Sequence, residues 1–168
     1  MPNYCCNRIV IIGDLTELKT DLGEDFENMF SKTIPRPSPL GHNEFYDYWG
    51  TKWDPCNVEV VIDMSDRIEL KCDTAWAPPI NWAKKCCKKY KAIEIKIYYC
   101  EIGMGFYGKF QFNSNGGGDI RYKVNRKEVT YNEEELYNEE ESSNEEESYV
   151  LTGHIKKFTE KNQIGLGG

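Results

Sequence analysis

The chain has only two histidines, His42 and His154, and no C-x-x-C pair among its seven cysteines, so the usual spacing of a zinc site is missing. Neither histidine opens an H-x-[ST] repeat, which excludes the twin-histidine phosphodiesterase pattern, and neither lies in a recognisable nucleophile or metal motif. No run approaches the ~20 apolar residues that a membrane-spanning helix needs, so no membrane partner is expected. The opening MPNYCCNRIVII lacks a basic cluster ahead of its apolar stretch, and a secretory leader is not expected either. Most of the chain also lacks an excess of one charge. In residues 127–168, Lys127, Lys156, Lys157 and Lys161 face eleven glutamates, so the whole net charge of −7 lies there. Residues 1–126 carry seventeen charges of each sign and balance at zero.

The cysteines are odd in number, and two pairs (Cys5-Cys6 and Cys86-Cys87) are adjacent. Adjacent cysteines rarely bridge, because the eight-membered ring is strained. Reduced thiols in an intracellular protein, several of them packed as small hydrophobes, are therefore expected.

At 168 residues the chain suits one domain with its own core, residues 1–126, followed by a different kind of sequence. Ile9 to Ile12 reads as a short buried strand closed by Gly13-Asp14. Residues 15–30 carry Leu15, Leu18, Leu22, Phe26 and Phe30 at near-helical spacing, with Gly23 placed to split the helix. Three prolines in TIPRPSP, residues 33–39, exclude helix and central strand. Residues 43–50 read as a short helix. Val58, Val60 and Ile62, then Ile68, Leu70 and Cys72, alternate as two strands joined at Ser65-Asp66. Pro79 opens a helix reaching about Tyr90. Residues 92–101 and 106–112 alternate cleanly as strands, Gly116-Gly117-Gly118 reads as a loop, and Asp119 to Val124 as a further strand. Residues 127–148 hold three glutamate clusters and too little apolar area to offset ordering entropy, so a flexible acidic segment is expected. Residues 149–168 regain apolar character, with 149–158 read as an edge strand returning to the domain and the last residues as frayed.

The element order is strand, helix, strand, strand, helix, strand, with extra strands after it. That order predicts an α+β fold: a ferredoxin-like antiparallel sheet with both helices on one face, plus additional C-terminal strands.

Five stretches in order, MPNYCCNRIVIIG, IPRP, YDYWGTKWD, TAWAPP and YYCEIGMGFYG, carry a likeness. They resemble the phage- and plasmid-borne YubB-like family, whose pattern reads MPNWCxNxLxIxG, IPxP, NWGTKWD, TAWxPP and ExGxxFxG. The likeness covers roughly residues 1–112. It departs at Tyr4, at Cys6 and at Tyr48, and the acidic segment has no counterpart. The resemblance implies a ferredoxin-like domain and a setting on a mobile genetic element, a phage or a virus. It carries over no catalytic residue, cofactor or ligand, since the family is largely without an assigned function.

Four tryptophans mark a candidate binding surface. Trp49 and Trp53 are four apart, so one helical turn would put them on one side; Trp76 and Trp82 flank the Pro-Pro turn. Together they read as a plug at one end of the sheet, each burying ~150–250 Å². The functional alternative is an aromatic cradle with Lys52 and Asp54 at its lip, able to take a base or a lysine-bearing peptide. Lys84, Lys85, Lys88, Lys89 and Lys91 form a basic helix face that could contact phosphates, receive the acidic segment or stay solvated. GMGFYG, residues 103–108, matches the dinucleotide fingerprint in letters but lies between two strands rather than before a helix, so it reads as a hairpin. The surface to be tested is therefore Trp49, Lys52, Trp53, Asp54, Trp76, Lys84, Lys85 and Lys88. We expect no catalytic set, metal or cofactor. The favoured function is a non-enzymatic module binding a macromolecule, a protein first. A nucleic-acid binder using the lysine helix is the alternative, and a small phosphate-processing enzyme comes third.

Overall fold

The structure is a computed structural model that describes residues 3–38 and 44–123. His42, His154, the acidic segment and the returning strand expected at 149–158 lie outside these residues. Strand β1 (Tyr4–Gly13) leads to helix α1 (Thr16–Leu22), a single 3-10 turn (Phe26–Asn28), α2 (Met29–Thr33) and α3 (Glu44–Trp49). The hairpin β2 (Cys56–Asp63) and β3 (Arg67–Ala75) follows, then α4 (Ile80–Lys89), β4 (Ile93–Glu101), β5 (Phe106–Asn113) and β6 (Gly116–Lys123). The six strands form one antiparallel sheet in the order β2-β3-β1-β4-β5-β6. β1 is thus central, between β3 and β4.

Alternation decides which side of each strand is dry. Ile9 and Ile11 of β1, Ile68 and Leu70 of β3, and Ile95 and Ile97 of β4 share one core with the helices. The helices meet them with Leu18, Leu22, Phe30, Trp49, Trp82 and Cys86. β1 runs well beyond the expected Ile9–Ile12 because a polar residue is accommodated inside it. Asn7 is fully buried, and its Nδ2 donates to the Cys5 carbonyl at 2.7 Å and to Thr74 Oγ1 at 2.9 Å. A satisfied amide of this kind does not break a strand.

The helical stretch over 15–30 is split at Gly23, where its sequence places the break. Gly23, at φ 62°, ends α1, and Asp25 accepts the Asn28 N–H at 3.2 Å to start the next turn. The Gly116–Gly118 tract, expected as a loop, is strand: it pairs with Asn113, Phe112 and Gln111. The glycines make that possible, since a Cβ on Gly117 would lie 2.0 Å from the Gln111 carbonyl oxygen.

On the opposite side of the sheet, Arg8 and Arg67 hold the buried carboxylate of Glu69, with nitrogen–oxygen distances of 2.7 Å to each. Burial pushes the Glu69 carboxyl up, but the hydrogen bonds from Arg67 and Arg8 outweigh it and leave it below its ordinary 4.5. A lowered folded value stabilises above the unfolded value, and that stability is lost as pH falls through the folded one. Glu69→Gln is therefore expected to lose about 1.5–3 kcal/mol at neutral pH. The gap to the wild type should narrow as pH drops below 4.5. Urea unfolding midpoints from neutral to acid pH check this, and a gap constant across the range contradicts it.

Candidate functional site

The chain reverses after α3 because Gly50 adopts φ 88°, and its N–H closes the helix on the Tyr46 carbonyl at 2.8 Å. This separates Trp49 from Trp53, which do not share a helical turn as their spacing suggested. Trp49 points inward and is buried; its Nε1 donates to the Ile34 carbonyl at 2.9 Å, and its ring meets Phe30 edge-on at 5.7 Å. Trp82 is also buried, donating to Thr33 Oγ1 at 2.9 Å with its ring 4.7 Å from Phe30. These two indoles pack the helical side of the core.

Residues 51–55 are held from three directions. Thr51 Oγ1 donates to the Ala75 carbonyl at 3.1 Å, and Arg36 donates to the Lys52 carbonyl at 2.7 Å. Asp54, expected beside Lys52 at the rim, instead accepts the N–H groups of Phe30 and Ser31 at 2.8 and 2.9 Å. These contacts lock the backbone and leave Lys52 exposed and Trp53 half-buried.

From the other side comes the end of β3. Trp76 has φ 62°, held by its N–H bond to the Asn3 carbonyl at 2.9 Å. A bulky aromatic in the left-handed region is strained by roughly 1–3 kcal/mol and persists only where its surroundings impose it. Trp76 is nonetheless 37% exposed. It lies 6.2 Å from Trp53 between ring centroids, inclined by 43°. The Lys52 ammonium sits 5.7 Å from the Trp53 ring and 5.4 Å from the Trp76 ring. Lys52, Trp53 and Trp76 therefore form one surface platform, with an apolar plane to take a flat or aliphatic group and a cation to meet an anion.

The lysines of α4 are apart from it. Lys84 and Lys88 are exposed, while the Lys85 ammonium lies 4.2 Å over the Tyr48 ring. Lys89 bonds the Asp21 carboxylate at 2.7 Å. Among the described residues no hydrogen bond, ion pair or ring contact joins this row to the platform. Of the eight residues proposed from the sequence, three are brought together, two are assigned to packing or capping, and three stand on α4.

Two features had no signal in the sequence. The Arg36 guanidinium lies 3.6 Å from the Trp49 ring centre, sealing that indole from a proline-rich loop. On the β4–β6 side, Tyr99 donates to Asp119 at 2.6 Å and accepts from Arg121 Nε at 3.3 Å. Burial, reinforced by the Asp119 carboxylate, pushes the Tyr99 phenol well up. Gly108 makes the room, since a Cβ there would sit 2.4 Å from the Tyr99 oxygen.

Thiol chemistry has little to work with. All seven cysteines are free, and all but Cys56 are buried. Burial raises the Cys5, Cys72 and Cys86 thiols well above their ordinary range and pushes Cys87 up to about 11. Thiols so placed stay protonated and unreactive at neutral pH. Among the described residues no three His, Cys, Asp or Glu side chains are grouped to hold a metal ion, and no helix is long and apolar enough to cross a membrane.

Comparison with known proteins adds a fold family. A family model described as a ferredoxin-like domain in Api92-like protein matches residues 48–152. A solved structure, protein api92 from Yersinia pseudotuberculosis, is similar with 14% sequence identity and a TM-score of 0.43. The match covers 64% of this chain and 40% of that one, so the chain spans well under half of that relative's length. None of the curated proteins matches.

Proposed function

We propose, starting from the fact that this chain belongs to the Api92-like proteins with a ferredoxin-like domain, that it is a non-enzymatic module binding another macromolecule, a protein first. The observation that carries this reading is Trp76: an exposed indole kept in a strained backbone conformation and backed by Trp53 and Lys52. Packing alone gives no reason to hold a large aromatic outward at that cost, whereas interface hot spots are rich in Trp. The partner group would be an apolar or planar side chain beside a carboxylate, the first on the Trp76 face and the second on Lys52. A phage or plasmid setting and an intracellular location go with this reading, on the strength of the five ordered motifs.

The test is capture on immobilised full chain, followed by titration of the purified protein that is retained. Trp76→Ala is expected to weaken that complex by 2 kcal/mol or more, about 30-fold, with the melting transition nearly unchanged. Equal affinity of the Trp76→Ala variant contradicts the platform.

A second reading has its own observation. Lys84 and Lys88 stand exposed on α4 without an ion pair among the described residues, as phosphate-contacting lysines would. Nucleic acid held there loses affinity steeply with added salt. Salt-dependent oligonucleotide binding that survives Trp76→Ala and is lost in Lys84→Glu/Lys88→Glu selects it over the protein partner.

A further inference from the structure

The two edges of the sheet are finished differently. β2 is irregular, with register shifts between Cys56 and Glu59 and again between Val60 and Ile62, and Asn57 at φ 52°. Bulges of this kind twist an edge out of reach of another strand. β6 has no such defence: its pairing with β5 is unbroken from Phe106–Lys123 to Asn113–Gly116, and it contains neither proline nor bulge. Among the described residues its outer row of N–H and C=O groups faces no strand. It also displays Ile120 at 58% and Tyr122 at 50% exposure, with Tyr122 stacked 5.3 Å from Tyr107. A regular edge with exposed apolar side chains is a template for one more strand.

The chain itself offers the occupant. The family match does not stop at Lys123 but continues to Thr152, beyond the glutamate-rich stretch. There the sequence YVLTGHIKKF, residues 149–158, restores apolar residues at strand spacing, with Tyr149, Leu151 and Ile155 on one side. Residues 124–148 are ample to lead back along β6, and the entropy of closing so long a loop grows only logarithmically with its length.

We propose that residues 149–158 pair along the outer edge of β6 as a seventh strand, seating Tyr149, Leu151 and Ile155 against Ile120 and Tyr122. The acidic stretch then becomes a loop tied at both ends beside β6, and the edge is closed to a second copy and to foreign strands.

Amide hydrogen exchange on the full chain tests this. The alternate β6 amides that do not bond β5 are expected to be protected at high dilution. The double variant Leu151→Asp/Ile155→Asp should release them by about tenfold or more while β4 amides keep their protection. Free exchange of that alternate set in the wild type overturns the proposal, as does protection unchanged in the variant. Protection that vanishes on dilution, together with a dimeric mass, assigns the edge to a second copy and overturns it too.

Discussion

Trp82→Ala is expected to lower the free energy of unfolding by about 3–5 kcal/mol. The indole has no exposure, lies 4.7 Å from Phe30 and donates to Thr33 Oγ1 at 2.9 Å. Truncation removes that burial and opens a cavity which α4 and α2 close only in part. It also leaves the Thr33 hydroxyl, which donates onward to the Met29 carbonyl, with only the weak Cys86 thiol as a donor, at 3.9 Å. Trp82→Phe keeps most of the volume and loses chiefly the hydrogen bond, so about 1–2 kcal/mol is expected. Denaturant unfolding monitored by circular dichroism gives both values. Trp82→Ala losing no more than Trp82→Phe would show that cavity and burial matter less here than one bond.

Gly13→Ala is the second large effect, at about 2–5 kcal/mol, combining backbone strain with overpacking. Gly13 has φ 131°, and a Cβ there would fall 2.1 Å from the Ala92 carbonyl oxygen and 3.1 Å from the Ile93 Cα. Those neighbours are main chain and cannot swing aside. Its N–H also bonds the Asp66 carbonyl at 3.0 Å, so the end of β1 is tied to the β2–β3 turn as well as to the start of β4. Gly118→Ala is the matched control: nothing lies within 4 Å of its Cβ position, and an effect within about 0.5 kcal/mol is expected. Similar losses at both positions would mean that the crowding around the Gly13 Cβ position is not what makes its substitution costly, since the lower entropy of the unfolded alanine chain acts in the stabilising direction at both.

Strand periodicity made the sheet legible in advance. Ile93, Ile95 and Ile97 alternate with Glu94 and Lys96, and the order of elements points to a ferredoxin-like antiparallel sheet. What stayed hidden was set by contacts between distant residues. The extent of β1 depended on Asn7 finding Thr74, 67 positions away. The strand character of Gly116–Gly118 depended on how closely two backbones approach. At the candidate site the tryptophans could be singled out by type, but their division into two buried and two surface indoles could not. That division follows from the left-handed backbone at Gly50 and Trp76 and from Asp54 reaching back to α2. Spacing puts Asp54 at the rim beside Lys52, since it does not reveal that the carboxylate meets the N–H groups of Phe30 and Ser31.

The position of β1 also bears on how the protein is made. β1 lies inside the sheet yet is synthesised before both of its neighbours, Arg67–Ala75 and Ile93–Glu101. Until translation has passed Glu101, Ile9 and Ile11 belong to a nascent strand with at least one sticky side. Folding must then wait for closures of high sequence separation, which are slow, and the growing chain is exposed to misassociation in the interval. A chaperone that shields β1 until Glu101 has emerged would act where the nascent chain is most vulnerable.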